Sequence, residues 1–172
     1  MNYYPVFLGL GSNIGDREYF LHQAIIQLES SNIFYPSKIS SLYKTAPKYF
    51  QEQEYFYNLT IEGSTNSNPD DLLGQCKIIE EKLGRNFNGM RYGPRQIDID
   101  ILFFNDRVIQ KDILFIPHQK IAERMFVLKP LSEIAPDFTH PLLKSSVQEL
   151  LINCHDNDYI EKIKDINSWI SH

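Results

Sequence analysis

Gln96-Ile97-Asp98-Ile99-Asp100-Ile101-Leu102-Phe103-Phe104 is the stretch on which the reading of this chain turns. From Ile97 to Phe104 it is rich in β-branched and aromatic residues, the composition of a central strand. Side chains alternate along a strand, so Asp98 and Asp100 share one face. A buried strand does not normally carry two such carboxylates unpaired. Either a hard divalent cation offsets their repulsion and leaves coordination positions for water and phosphate oxygens, or the face is solvated or paired with arginine.

Upstream, Arg85 to Gln96 is a loop of Gly, Asn and Arg that holds Arg85, Arg91 and Arg95. Guanidinium forks grip phosphates through paired hydrogen bonds, although loop arginines are also often simply solvated. Before the loop, Asn68-Pro69-Asp70-Asp71 opens a helix that stops at Gly84, with a capping Asn, a first-turn Pro and acidic residues at the positive dipole end. Leu72, Cys76, Ile79 and Leu83 form its buried stripe, and Leu73, Lys77 and Glu80 a neighbouring stripe that faces a pocket.

Phe56 to Glu62 alternates cleanly, with Tyr57, Leu59 and Ile61 toward the core and Phe56, Asn58, Thr60 and Glu62 on the available face. A ring to stack and an amide to pair suit a flat heterocycle; the alternative is an aromatic covered by the Thr45 to Gln53 loop. Lys38 to Lys44 predicts one strand. Val6, Leu8 and Leu10 predict another that ends at Gly11-Ser12-Asn13, and Asp16 caps a helix that runs to about Glu29. Downstream, Asn105-Asp106 predicts a hairpin into Val108-Ile109, Ile113 to Pro117 is extended, and Lys120 to Leu128 has no clear period. Pro130, Pro136 and Pro141 break the C-terminal part into short pieces, and Ser146 with Glu149 makes a capping box. The order strand, helix, strand, strand, helix, strand defines an α+β class: a ferredoxin-like plait with additional strands and C-terminal helices, expected as one domain over residues 1–172.

Composition narrows the function. The chain has 172 residues, 42% hydrophobic and 23% charged, which is a folded rather than a disordered composition. Seventeen Lys and Arg against twenty-two Asp and Glu leave a charge of −5, the wrong sign for binding nucleic acid by neutralising phosphates. No apolar run approaches the roughly 20 residues that span a bilayer, and no secretory leader is visible, so a cytoplasmic protein without membrane partners is expected. Two familiar phosphate motifs fail. Met90-Arg91 stands where a P-loop after Gly84 and Gly89 needs Lys and Ser or Thr, and Ile14 occupies the third glycine position of a dinucleotide fingerprint begun at Gly9. Cys76 and Cys154 are too sparse for a disulfide framework or a zinc site.

Taken together, Leu10-Gly11-Ser12-Asn13, Tyr43-Lys44-Thr45-Ala46-Pro47, Phe56-Tyr57-Asn58, Gly93-Pro94-Arg95-Gln96-Ile97-Asp98-Ile99-Asp100, and Pro117-His118 with Arg124 to Leu131 resemble the 6-hydroxymethyl-7,8-dihydropterin pyrophosphokinases of folate biosynthesis. The resemblance covers about residues 6–151 and leaves 152–172 as a tail, where Trp169 is assigned no chemistry. It implies an enzyme that transfers the β,γ-diphosphate of ATP to the pterin hydroxymethyl oxygen and releases AMP, acting as a monomer on these small molecules. Two magnesium ions are implied, held by Asp98 and Asp100 and the triphosphate. Arg85, Arg95, Asp98 and Asp100 are the implied catalytic set. ATP is expected on Leu73, Lys77, Glu80, Arg85, Arg95, Ile101, His118 and Arg124. The pterin is expected between Phe56 and Phe126, with Asn58, Thr45, Ala46, Pro47, Tyr92 and Asp98 around it.

The chain departs from the family pattern at Phe87 and Ile113, where some members carry basic residues, and at Tyr92, Phe56 and Gln119. Lys48-Tyr49-Phe50 replaces a Leu-Gly type of loop. Two other functions fit parts of the same pattern: a magnesium-dependent phosphohydrolase, which needs an activated water in place of an acceptor pocket, and an RNA-binding plait with Phe56 and Tyr57 on its sheet.

Overall fold

The two aspartates lie on β5 (Asp98–Phe104), an edge strand whose neighbour β1 (Tyr4–Ser12) pairs on its other side with β4 (Phe56–Thr65). Beyond β4 come β2 (Phe34–Ile39) and β3 (Leu42–Thr45), with β8 (Ile160–Lys164) outermost, and all pairings are antiparallel. The computed structural model describes residues 2–165; Trp169 lies outside them. Two helices, α1 (Arg17–Ser30) and α2 (Pro69–Lys82), cover one face of this sheet, as the plait requires. Their starts follow local chemistry: Asp16 accepts from the Tyr19 N–H at 3.1 Å and Asn68 from the Asp71 N–H at 2.9 Å. Leu21, Ala24, Leu28, Leu72, Cys76 and Ile79 meet Val6, Leu8, Leu10, Leu59, Ile61, Ile99 and Ile101 in the main core.

The second face is only half covered. A 3-10 turn over Ile121–Glu123 leads into α3 (Met125–Ile134), and α4 (Val147–Ile152) packs beside it. Their residues Val127, Leu128, Leu131, Val147 and Leu150 form a second core with Phe7, Leu102 and Phe103. The rest of that face, under Phe56, Asn58, Asp98 and Asp100, stays open as a cleft.

Four expectations need correction. The predicted strand Lys38 to Lys44 is two strands broken at Ser40 and Ser41. There the Ser40 hydroxyl accepts from the Thr60 N–H at 2.9 Å in place of a backbone carbonyl, and the extra residue lets Ile39 and Leu42 both reach the helical core. The Asn105-Asp106 turn does not fold a strand back on β5; β6 (Ile109–Lys111) instead pairs with β7 (Leu114–Ile116) as a separate hairpin. Pro130 lies inside α3 rather than ending it, because the helix is held by burial of Val127, Leu128 and Leu131. Within the 152–172 tail, β8 extends the sheet along β3. The polar face of β4 is not simply available: Thr60 is buried, and α3 covers part of the strand. The capping box holds as expected, with the Ser146 N–H donating to Glu149 at 2.7 Å and the Glu149 N–H donating to the Ser146 hydroxyl at 3.1 Å.

Candidate active site

Sheet register builds the cleft floor. Asp98 stands opposite Gly11 on β1 and Gly11 opposite Asn58 on β4; the next row is Asp100, Gly9 and Thr60. Two glycines thus separate a carboxylate column from a polar column on the floor of a cleft of about 270 Å³. A β-carbon on Gly11 would come within 2.6 Å of Asn58 Oδ1, and Asn58 cannot easily yield because its Nδ2 donates to Thr45 Oγ1 at 2.7 Å. Gly11→Ala is therefore expected to weaken binding of a flat acceptor about tenfold while ATP binding stays within about twofold, since overpacking costs ~1–3 kcal/mol. Calorimetric titration of each ligand separately checks this.

Electrostatics divide the two aspartates. Asp98 sits between two guanidinium groups: Arg85 Nη1 donates to one oxygen, and Arg95 Nη1 donates to the other at 2.8 Å. Burial works against its charge, yet Arg95 and Arg85 hold the carboxyl below the usual carboxylate range. The arginine-paired alternative is therefore what the structure shows for Asp98. Asp100 makes no ion pair among the described residues, and burial together with the Asp98 charge pushes it up to about 7. A half-buried carboxylate without an ion pair beside an arginine-paired one is a donor set compatible with a divalent cation.

Below them Glu80, fully buried, accepts from Arg85 at 2.5 Å, from Lys77 at 2.9 Å and from the Ile99 N–H at 2.7 Å. It does not line the cleft as its place in the stripe suggested; it holds Arg85 and Lys77 from beneath. Leu73 and Ile101 also lie outside the cleft lining. The reason is that α2 packs on the opposite face of the sheet, where both side chains join the main core, and of that stripe only the long Lys77 side chain lines the cleft. Pro47 is buried beside the cleft without lining it.

The structure brings together Thr45, Ala46, Phe56, Asn58, Lys77, Arg85, Tyr92, Arg95, Asp98, Asp100, His118, Arg124 and Phe126 around one cavity. His118 accepts from the Lys120 N–H through Nδ1 at 3.2 Å, which leaves Nε2 to carry the ring proton. Burial and the nearby Arg124 lower it to about 4, so it is a neutral donor at physiological pH. Arg124 donates to the Tyr49 hydroxyl at 3.1 Å, and its Nε is buried without a hydrogen-bond partner among the described residues.

Sequence reading assigned no role to Asn13, which is the clasp of the site. Its Oδ1 accepts from the Arg95 N–H at 2.9 Å, while its Nδ2 donates to Gln53 Oε1 at 2.9 Å and to the Glu54 carbonyl at 3.1 Å. One buried amide therefore ties the arginine loop to the loop before β4. The signal was present as an Asn at the end of a glycine-containing strand, but its partners are remote in sequence. Tyr49, a departure from the family pattern, stacks on Tyr92 with ring centroids 4.4 Å apart and so joins the same two loops.

Fold and site together define a ferredoxin-like α+β domain with a phosphate- and cation-compatible cleft on its open sheet face. A family model for 7,8-dihydro-6-hydroxymethylpterin-pyrophosphokinase matches residues 7–136. The chain belongs to this family. It is 44% identical over 128 residues to the 2-amino-4-hydroxy-6-hydroxymethyldihydropteridine pyrophosphokinase of Bacillus subtilis, covering 74% of this chain and 76% of that protein. With the Aquifex aeolicus protein of the same name it shares 38% over 144 residues, covering 84% and 88%. It is also 40% identical over 158 residues to the folic acid synthesis protein FOL1 of Dictyostelium discoideum, covering 92% of this chain but spanning only 24% of that longer protein. The fold matches that of Plasmodium falciparum HPPK-DHPS with a TM-score of 0.70 at 20% identity, over 88% of this chain and 44% of that one.

Proposed function

We propose that this chain transfers the diphosphate of ATP to the hydroxymethyl group of 6-hydroxymethyl-7,8-dihydropterin and releases AMP. One observation carries the reading: the arginine-flanked carboxylate pair and the Phe56–Gly11–Asn58 slot open into a single cavity. In this reading the acceptor hydroxyl oxygen attacks the β-phosphorus, the bond from that phosphorus to the α-bridging oxygen breaks, and the hydroxyl proton passes to solvent. Asp98 and Asp100 would hold magnesium, which supplies charge neutralisation on the phosphates when bound. Arg95 and Arg85 turn from Asp98 toward phosphate oxygens, His118 and Arg124 donate to the nucleotide, and Lys77 adds positive charge. Phe56 and Phe126 sandwich the pterin while Asn58 reads its edge. Because in-line positioning and charge stabilisation account for most of such a reaction, no general base is assigned.

In this reading the chain is a small-molecule enzyme acting in the cytoplasm as a monomer; its net charge is −5, and among the described residues no helix is long and apolar enough to cross a membrane. Residues 2–165, with cores on both sheet faces, are read as one catalytic unit. Phe56 lines the cleft while Tyr57 packs against the main core, so they form no shared platform for RNA. The test is product identity by chromatography after incubation with ATP, magnesium and the pterin. AMP and pterin diphosphate in equal amounts support the reading, whereas ADP or free phosphate without modified pterin overturns it in favour of a kinase or hydrolase.

A further inference from the structure

The segment after α4 lies beyond the residues matched by the family model, yet it is built into the cleft wall. Asp156, whose side chain is 3% exposed, gathers three donors: Lys48 Nζ at 2.7 Å, the Met125 N–H at 3.0 Å and the Asp158 N–H at 3.1 Å. Asp158 adds a second carboxylate to Lys48 at 3.1 Å. The neighbouring backbone continues the attachment, since the Ala46 N–H donates to the Tyr159 carbonyl at 3.0 Å and Thr45 pairs with Ile160.

These contacts converge on two pieces of the cleft. Ala46, Lys48 and Tyr49 line it from the loop after β3, and Arg124, Phe126 and Val127 line it from the start of α3. Asp156 bonds to both pieces, through the Lys48 ammonium and through the Met125 N–H. Arg124 stands at the N-cap of α3 but its side chain makes no capping hydrogen bond, so Asp156 supplies the anionic partner at that helix start.

We propose that Asp156 is a positioning residue for the acceptor half of the cleft, a buried node through which the segment after α4 fixes the Ala46–Tyr49 loop against the first turn of α3. Charge-assisted hydrogen bonds held in a largely water-excluded place are the strong kind, and a loop fixed before the acceptor arrives avoids the ordering cost on binding. The node touches no substrate; it acts through the elements that do. The inference rests on the proposed reaction only for the identity of the acceptor.

The test compares Lys48→Met, Asp156→Asn and the double variant in the full chain. Hydrogen exchange of the substrate-free proteins is expected to speed up at amides 46–55 in every variant and to match the wild type in α1 and α2. Titration with 6-hydroxymethyl-7,8-dihydropterin in the presence of a non-hydrolysable ATP analogue is expected to show acceptor affinity reduced about five- to tenfold in each single variant, with ATP affinity within about twofold for Lys48→Met. The double variant is expected to lose no more than Asp156→Asn alone, because the two residues act as one unit. Unchanged loop exchange, additive losses, or equal losses of ATP and acceptor affinity would overturn the proposal. If the wild type converts no pterin, the reading of the reaction fails while the exchange measurement alone still decides the role of the node.

Discussion

Replacing Asp100 by alanine is expected to lower diphosphate transfer by about three orders of magnitude or more while leaving the chain folded. Register puts Asp100 on the cleft face of β5 beside Asp98, across from Gly9, with no ion pair among the described residues. A carboxylate left in that state destabilises the ligand-free protein and is useful only when a cation joins it. Removing a metal ligand withdraws several kcal/mol of charge stabilisation, and each ~1.4 kcal/mol is a factor of ten in rate.

The same residue predicts an opposite effect on stability. Its folded pKa is raised to about 7 by burial and by Asp98, above the unfolded value of roughly 3.9. Stability from this group is therefore fully present below about pH 4 and is lost as pH rises through about 7. The isosteric Asp100→Asn variant should melt at a higher temperature than the wild type at pH 8 without magnesium, and the difference should shrink toward pH 4. Magnesium should raise the melting temperature of the wild type and not of the variant. Near-normal turnover, or a variant still stabilised by magnesium, would remove Asp100 from the metal site.

Arg95→Ala should lower kcat by roughly a hundred- to a thousandfold while ATP affinity falls only a fewfold, the pattern of a donor that acts mainly on charge developing in the transition state. Its position supports this. The guanidinium bonds Asp98 at 2.8 Å and lies 5.7 Å from the Phe56 ring centroid, between the carboxylate pair and the acceptor slot. Arg85 is placed differently, bonded to both Glu80 and Asp98 from beneath. Arg95→Lys keeps the charge but not the planar fork, so it should recover only a small part of the loss. Single-turnover kinetics beside equilibrium ATP titration separate the two quantities, and equal losses in both would make Arg95 a binding residue only.

Much of the site was legible because it depends on local periodicity. Alternation alone put Asp98 with Asp100 and Phe56 with Asn58, and the cleft contains all four. Periodicity was less informative on α2, where Leu73, Lys77 and Glu80 share a stripe but part company: a leucine in the core, a lysine at the cleft, and a glutamate buried beneath its cationic partners. Which way a side chain near the edge of a helical stripe turns depends on what the opposing strand offers, and here Ile99 offers Glu80 a backbone N–H at 2.7 Å.

By itself the sequence determined the elements whose signals are local: the caps at Asp16 and Asn68, the box at Ser146 and Glu149, and the alternation of β4 and β5. Their order, with the family resemblance, was enough for the plait and for most of the side chains that meet in its cleft. Only the tertiary structure decided what depends on partners distant in the chain: the break at Ser40 made by the Thr60 N–H, the passage of α3 through Pro130, the clasp at Asn13, and the return of Asp156 to Lys48. The physical reason is one of range. A cap or an alternation is satisfied within a few residues, whereas a buried polar group takes whichever donor or acceptor the folded sheet places beside it.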